Sequence, residues 1–329
     1  VDKIKSYQER ISEELARFTK QADTQHPKEL YAPVSYILSL GGKRMRPALV
    51  LAGCDLFGGN TEKAVQAALA VEVFHNFTLV HDDIMDKAPL RRNKPTVHKK
   101  WNESIGILSG DAMLVQAYQL LCKTDAASLN TVLDIFSATA IQVCEGQQLD
   151  MNYENAQKIS LLQYLHMINL KTAVLLGASL KIGAVIGGAM PEDAQRAYEF
   201  GTNMGLAFQL QDDILDVYGK EEQFGKQQGG DIISNKKTWL LIKAMELTAG
   251  NRYMAEELQQ WIFAPEFDPK EKVKAVTAIY DFLGVRKLAE KEMMKFHDRA
   301  LKQLEEIPVS EEKKKPLADF AESLMVREH

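Results

Sequence analysis

Cysteine is scarce in this chain: three residues in 329, Cys54, Cys122 and Cys144, with no paired spacing. That excludes a disulfide framework, and thiols set in apolar helical patterns read as small buried residues in a reducing compartment. Strand-type alternation is missing as well, with no sustained period-two pattern anywhere. There is no G-x-G-x-x-G after a strand and no P-loop, so neither nucleotide fingerprint applies. Strong positive charge is absent; the net charge of −5 argues against a nucleic-acid partner. No Pro/Ser tract, low-complexity block or shift in composition marks a linker. Residues 1–329 are therefore expected to form a single domain, although length alone suggests about two. No signal-peptide pattern opens the chain, and the expected location is the cytoplasm. The most membrane-like stretch, Ala173 to Met190, is broken by Lys181 and loosened by Gly177, Gly183, Gly187 and Gly188. It is short for a transmembrane segment and reads as a buried helix in close contact with others.

What is present is helical periodicity. Ile11, Leu15 and Phe18 mark one amphipathic helix, and Tyr31, Val34, Ile37 and Leu38 a second that stops at Gly41-Gly42. A third ends at Gly58-Gly59, and a fourth runs from near Thr61 into Asp86, followed by a loop between Pro89 and Pro95. Further helices are expected over 104–123, 128–151, 160–187, 191–219, 236–248, 252–263, 270–306 and 312–326. The fold class is all-α, a large bundle of long helices.

Two clusters of one form stand out: Asp82-Asp83-Ile84-Met85-Asp86 and Asp212-Asp213-Ile214-Leu215-Asp216. Each reads D-D-x-x-D among core-like residues. On a helix, residues four apart lie about 40° apart on one face, so Asp82 with Asp86 and Asp212 with Asp216 pair, and Asp83 and Asp213 flank them. Like charges so spaced repel, and both clusters fall near helix C-termini, where the dipole disfavours carboxylates. Bound cations resolve the conflict. Oxygen-only ligands select hard ions, magnesium first, which keeps waters and bridges carboxylates to phosphates. The alternative is a pair of solvated acidic helix ends. An EF-hand is excluded, since neither cluster has its loop spacing or central glycine.

Basic residues gather in short motifs. Gly41-Gly42-Lys43-Arg44-Met45-Arg46-Pro47 is a glycine turn feeding a helix start, where Lys43 and Arg46 can share a face and a diphosphate can sit on backbone donors; the bland reading is a helix cap with solvated charges. Arg91 and Arg92 follow the first Asp cluster on a loop and can each take a different phosphate. His75 lies two turns before Asp82 on the same face, either a satisfied core residue or a donor to phosphate. Lys171-Thr172 sits inside an apolar helix, where a buried lysine needs an anion or a lowered pKa. Lys226 follows a glycine after the second cluster, Lys236 opens the next helix, and Gln209 shares a face with Asp212.

Taken together these motifs resemble the trans-isoprenyl diphosphate synthases, the farnesyl, geranylgeranyl and longer polyprenyl diphosphate synthases. The shared segments are G-G-K-R-M-R-P at 41–47, H-D-D-I-M-D, L-R-R-N, G-Q-x-L-D at 146–150, K-T-A at 171–173, F-Q-L-Q-D-D-I-L-D at 208–216, F-G-K at 224–226 and N-K-K-T at 235–238. The last 80 residues carry little of the resemblance. It implies a helical bundle of the isoprenoid synthase type with a central active-site cavity, usually a homodimer. It assigns Lys43, Arg46, His75 and Arg92 to isopentenyl diphosphate. It assigns Arg91, Lys171, Thr172, Gln209, Lys226 and Lys236 to the allylic diphosphate (dimethylallyl, geranyl or farnesyl). Asp82, Asp86 and Asp212 become the principal magnesium ligands, with Asp83, Asp213 and Asp216 in support, and three Mg²⁺ typically hold the allylic diphosphate between the clusters. Arg91, Lys171, Thr172 and Gln209 are then the groups closest to the bond that breaks.

Chain length should depend on the helix leading into Asp82. Thr78 lies about one turn below Asp82 and Phe74 about two, with Phe77 on a side wall by the angle count. The family's length-setting position, five before the first Asp, is Phe77. Phe77 followed by the small Thr78 resembles the geranylgeranyl-producing pattern, so C20 is the expected main product and C15 the second. Rival readings are a class I terpene cyclase, which usually has a different second metal motif, a head-to-head synthase, and a non-catalytic subunit of a heteromeric synthase, which tends to lose an Asp cluster.

Overall fold

The structure, a computed structural model, describes residues 2–154, 156–219 and 228–325. Its helices in chain order are α1 (Asp2–Ala22), α2 (Lys28–Ser39), α3 (Met45–Leu56), α4 (Val65–Met85), α5 (Val97–Lys100), α6 (Glu103–Leu121), α7 (Ala126–Glu154), α8 (Leu161–Ile168), α9 (Val174–Ile186), α10 (Pro191–Tyr218), α11 (Gly230–Ile233), α12 (Trp239–Thr248), α13 (Arg252–Phe263), α14 (Pro269–Leu283), α15 (Val285–Glu305) and α16 (Glu311–Met325). Among the described residues, the chain groups into two compact units. One comprises residues up to Thr139, Leu175–Tyr198 and Leu304–Phe320; the other comprises Ala140–Val174, Glu199–Gln303 and residues from Ala321 on.

In the first unit α1 buries Ile4, Ile11 and Leu15, the one-faced stripe its sequence predicts. A one-turn 3₁₀ segment, Thr61–Ala64, capped by Asn60, leads into α4, whose apolar residues Val71, Val73 and Phe74 are all buried. α4 packs along α6. α3 and α9 cross where only glycine fits: a Cβ on Gly183 would lie 2.0 Å from the Val50 carbonyl oxygen, and one on Gly53 would lie 2.3 Å from that of Leu180. This is the close helix contact expected of the 173–190 stretch. Two described segments, Ala126–Glu154 and Leu161–Ile186, are long and apolar enough to cross a membrane by length and composition, and 72% of the apolar window of the second is buried in the fold.

The second unit has its own core of Leu210, Ile214, Trp239, Leu240, Tyr280 and Val285 among others. α8 starts on a capping box between Ser160 and Gln163, α12 on Thr238 and α14 on Asp268 with Pro269 behind it.

Four expectations are corrected. The segment between Pro89 and Pro95 is a minimal antiparallel hairpin, β1 (Leu90–Arg91) with β2 (Lys94–Pro95). Arg92 and Asn93 form its turn with φ of 52° and 60°, the paired left-handed residues of a two-residue hairpin. Gly284, at φ 67°, divides the expected 270–306 helix into α14 and α15. The expected 160–187 helix is interrupted by a π-helical turn over Asn169–Ala173. Of the cysteines only Cys54 is buried; Cys122, just past the end of α6, and Cys144, on α7, are exposed, because the apolar pattern of each helix is wider than its buried side.

Candidate functional site

In the first unit the carboxylates of the D-D-x-x-D cluster separate by role. Asp82 is partly accessible and Asp86 exposed, on one face as helix geometry requires. Asp83 turns inward, with 2% of its side chain exposed, and binds Arg91 through two bonds of 2.8 Å. Burial pushes the Asp83 carboxyl up, with Arg91 pulling against it. Burial alone would lower Arg91, but Asp83, Asp82 and Asp86 outweigh it and its pKa rises.

The helix end explains how Arg91 returns to Asp83. Lys87 takes φ 52°, Lys87 N donates to Ile84 O at 3.1 Å, and Ala88 N donates to Asp83 O at 2.9 Å. This pair of bonds is a Schellman stop, made here without its usual glycine. It reverses the chain into the hairpin, whose first strand sends Arg91 to Asp83 and whose turn sends Arg92 to the carbonyl of Gly41. A Cβ on Gly42 would meet the Arg92 guanidinium at 2.7 Å, so this glycine makes room for it.

The basic motif departs from expectation in one respect. Arg44 adopts φ 47°, so α3 begins only at Met45 and Lys43 lies in the preceding loop, exposed, rather than on a helix face with Arg46. Arg44 is buried and binds Glu72 at 2.5 Å and Leu38 O at 2.6 Å, tying the loop to α4 and α2. Arg46 lies 3.2 Å from His75 Nε2. Burial pushes the Arg46 guanidinium down to about 10, against the pull of Glu72. Burial, then Arg46, Arg92, Arg91 and Arg44, hold His75 well below the usual imidazole value. His75 is therefore neutral and accepts from Arg46. Burial and the Arg44 and Arg91 charges also lower Arg92. So many crowded guanidiniums favour an added anion.

Below the carboxylates on α4, Thr78 is half-buried, its hydroxyl donating to His75 O at 2.8 Å. Phe77 is buried against His81 at 4.8 Å and Phe74 at 5.6 Å, and Phe74 stands edge-on to Phe136 at 5.1 Å. Phe77 is thus braced from behind by a ladder of rings.

In the second unit α10 repeats the division. Asp212 and Asp216 are partly accessible, whereas Asp213 is 3% exposed. Asp213 accepts from the Tyr164 hydroxyl, from Trp239 N at 3.2 Å and from Gln209 Nε2 at 3.3 Å. Burial drives its pKa up to about 7 against the Tyr164 bond. Asp216 Oδ2 accepts from Asp231 N at 3.0 Å. Lys236 is exposed ahead of α12, its Nζ 4.0 Å from Asp231. Lys226 lies outside the described residues.

Lys171 and Thr172 sit on the π-helical turn, a form frequent at functional sites. Lys171 is half-exposed rather than buried and is paired with Asp150, the last residue of G-Q-x-L-D. Glycines frame the turn: a Cβ on Gly205 would lie 2.7 Å from Ala173 Cα, and Gly146 approaches Lys171 even more closely.

Sequence reasoning missed Arg44, Glu72, Asp150 and Tyr164, whose partners lie at sequence distances no spacing rule reaches. Asp150 and Arg44 alone had a signal, their places in shared motifs. The metal question turns on the donor set. Among the described residues no three His, Cys, Asp or Glu groups converge as a closed metal cage. Two accessible carboxylates one turn apart in each unit instead suit a hard ion that completes its shell with water and phosphate, so the residues fit magnesium.

A polyprenyl synthetase family model matches residues 27–280. The geranylgeranyl diphosphate synthase of Methanosarcina mazei is 41% identical over 248 residues, spanning 75% of this chain and 76% of its own. A solved geranylgeranyl pyrophosphate synthase aligns with a TM-score of 0.92 at 44% identity over 99% of both chains. That of Corynebacterium glutamicum, complexed with isoprenyl diphosphate and magnesium, aligns at 0.87 with 26% identity over 98% of this chain and 99% of that one.

Proposed function

This chain belongs to the polyprenyl synthetase family, and we propose that it is a short-chain trans-prenyltransferase with geranylgeranyl diphosphate, C20, as its main product and farnesyl diphosphate second. One observation carries the reading: both D-D-x-x-D motifs turn the middle carboxylate inward and leave the outer two accessible, the form needed to bridge a hard cation to phosphate. A class I cyclase needs neither the second such motif nor the Gly42–Arg46 loop, and a non-catalytic subunit needs neither cluster intact.

Magnesium, when bound at Asp82, Asp86, Asp212 and Asp216, supplies Lewis-acid stabilisation of the departing diphosphate; three ions per site is the proposed number. Lys43, Arg46, His75 and Arg92 bind isopentenyl diphosphate, with neutral His75 acting through Arg46. Arg91, Lys171, Gln209, Lys236 and Lys226 hold the allylic diphosphate and stabilise charge as its carbon–oxygen bond breaks. Thr172 and the π-turn carbonyls face the allylic cation with their dipoles. The isopentenyl double bond attacks that cation, a carbon–carbon bond forms, and a proton leaves to the released diphosphate. Phe77, backed by Phe74 and flanked by small Thr78, stops the growing tail. The whole chain acts as one synthase domain, in the cytoplasm and as a homodimer; exposed Ile107, Leu108 and Val115 on α6 support an interface with a second copy.

The test is incubation of purified chain with Mg²⁺, labelled isopentenyl diphosphate and each allylic primer, followed by sizing of the products. A C20 prenyl diphosphate is expected. Cyclised hydrocarbon, or no magnesium-dependent turnover, would sink the reading.

A further inference from the structure

Lys272 lies on α14 with 1% of its surface exposed, and among the described residues no carboxylate pairs with it. Burying an ammonium without a counter-charge is costly, so its bonds must matter. Its Nζ donates to Asn235 Oδ1 at 2.7 Å and to Ile233 O at 3.4 Å, and lies 4.0 Å over the Phe267 ring. Asn235 holds φ 55°, and its Nδ2 donates to Ile262 O at 2.9 Å. The chain then runs through Lys236, whose amide donates to Asp231 O at 2.9 Å, to Trp239, whose amide reaches Asp213. At the other end of the loop, Gly229 N donates to Asp216 O at 2.7 Å. Gly229, at φ 75°, backs onto Val273, where a Cβ would lie 2.6 Å from a valine methyl. One side of loop 229–239 therefore rests on Lys272 and Val273, and the other presents amides to the second Asp cluster.

We propose that Lys272 is a positioning residue for prenyl transfer: through Asn235 it holds loop 229–239, and with it Lys236 and the amides on Asp213 and Asp216, in reactive geometry. The proposal rests on the prenyltransferase reading. It gives a function to a helix in the part of the chain that carries little motif.

The test uses Lys272→Met and Asn235→Gly in the full chain. Glycine keeps the left-handed backbone and removes the acceptor for Lys272, together with the Nδ2 donor to Ile262 O. Each variant should raise KM for the allylic diphosphate roughly 10-fold or more, with KM for isopentenyl diphosphate nearly unchanged. The double variant should fall well short of the sum of the single effects, because both lose the Lys272–Asn235 bond, and part of the Lys272→Met effect should vanish in a Lys236→Ala background. Equal losses in both KM values, or full additivity, would make Lys272 a general stabiliser and overturn the proposal. Hydrogen exchange at the Asp231 and Trp239 amides gives a readout without turnover: faster exchange in Lys272→Met is expected, and unchanged exchange overturns the brace. An inactive wild-type chain would count against the functional reading alone, with the exchange measurement still deciding the role of Lys272.

Discussion

Gly146 and Lys171 meet backbone to backbone: a Cβ on the glycine would lie 2.2 Å from the Lys171 nitrogen. No flexible side chain can yield there, so the π-turn that carries Lys171 and Thr172 depends on the absence of a methyl group on α7. Gly146→Ala should cost about 1–3 kcal/mol in stability, the usual range for overpacking. Displacement of the turn should cost about 100-fold in turnover. Thermal melts and prenyl-transfer assays check the two effects, and wild-type turnover in the variant would contradict the geometry.

The outer and inner aspartates should fail differently. Asp82→Asn and Asp212→Asn are expected to raise the magnesium concentration for half-maximal activity and to cut turnover by about 100-fold or more, with melting nearly unchanged. Asp83→Ala should instead destabilise the fold by about 3 kcal/mol, because Arg91 loses both of its close bonds to Asp83. Denaturant melts beside magnesium titrations separate the two behaviours.

Phe77→Ala should lengthen the product beyond C20 by removing the first ring of the ladder, and should cost about 3 kcal/mol for the cavity left behind. Phe74 remains held by Phe136, so the added length should be limited rather than open-ended. Chromatographic sizing of labelled products tests this; an unchanged C20 product would remove Phe77 from the floor.

His75 predicts a pH dependence. Its folded pKa lies well below the ordinary 6.5, chiefly through burial and then through Arg46. The unfolded chain therefore binds the proton first, so stability is fully present above about pH 6.5 and falls as the pH drops toward the folded pKa, by at most about 1.4 kcal/mol per pH unit. Urea melts of wild type and His75→Gln between about pH 7 and pH 5 should converge as the pH falls. Parallel curves would mean that His75 is not held neutral.

Much of this was legible in the chain. The helical period marked α1 and placed α4, α10 and α13 within a few residues, because apolar residues recur through each at that period. The paired D-D-x-x-D motifs and the Arg91-Arg92 dipeptide marked the chemistry, since carboxylates four apart on a helix share a face whatever surrounds them. The hairpin at Arg92-Asn93, the left-handed form of the helix stop at Lys87 and the delayed start of α3 at Arg44 were not legible. Each uses a non-glycine residue at positive φ, which local preference disfavours and only surrounding contacts enforce.

Sequence alone determined the helical class, the residue types able to meet phosphate and metal, and the face shared by the outer aspartates, because these follow from bond geometry and charge. Tertiary structure alone decided which carboxylate turns inward, that Lys171 rides a π-turn between glycines, and that a lysine on α14 reaches Asn235. Those outcomes depend on burial and on partners far away in the chain, and burial is a property of the packed fold that no local pattern encodes.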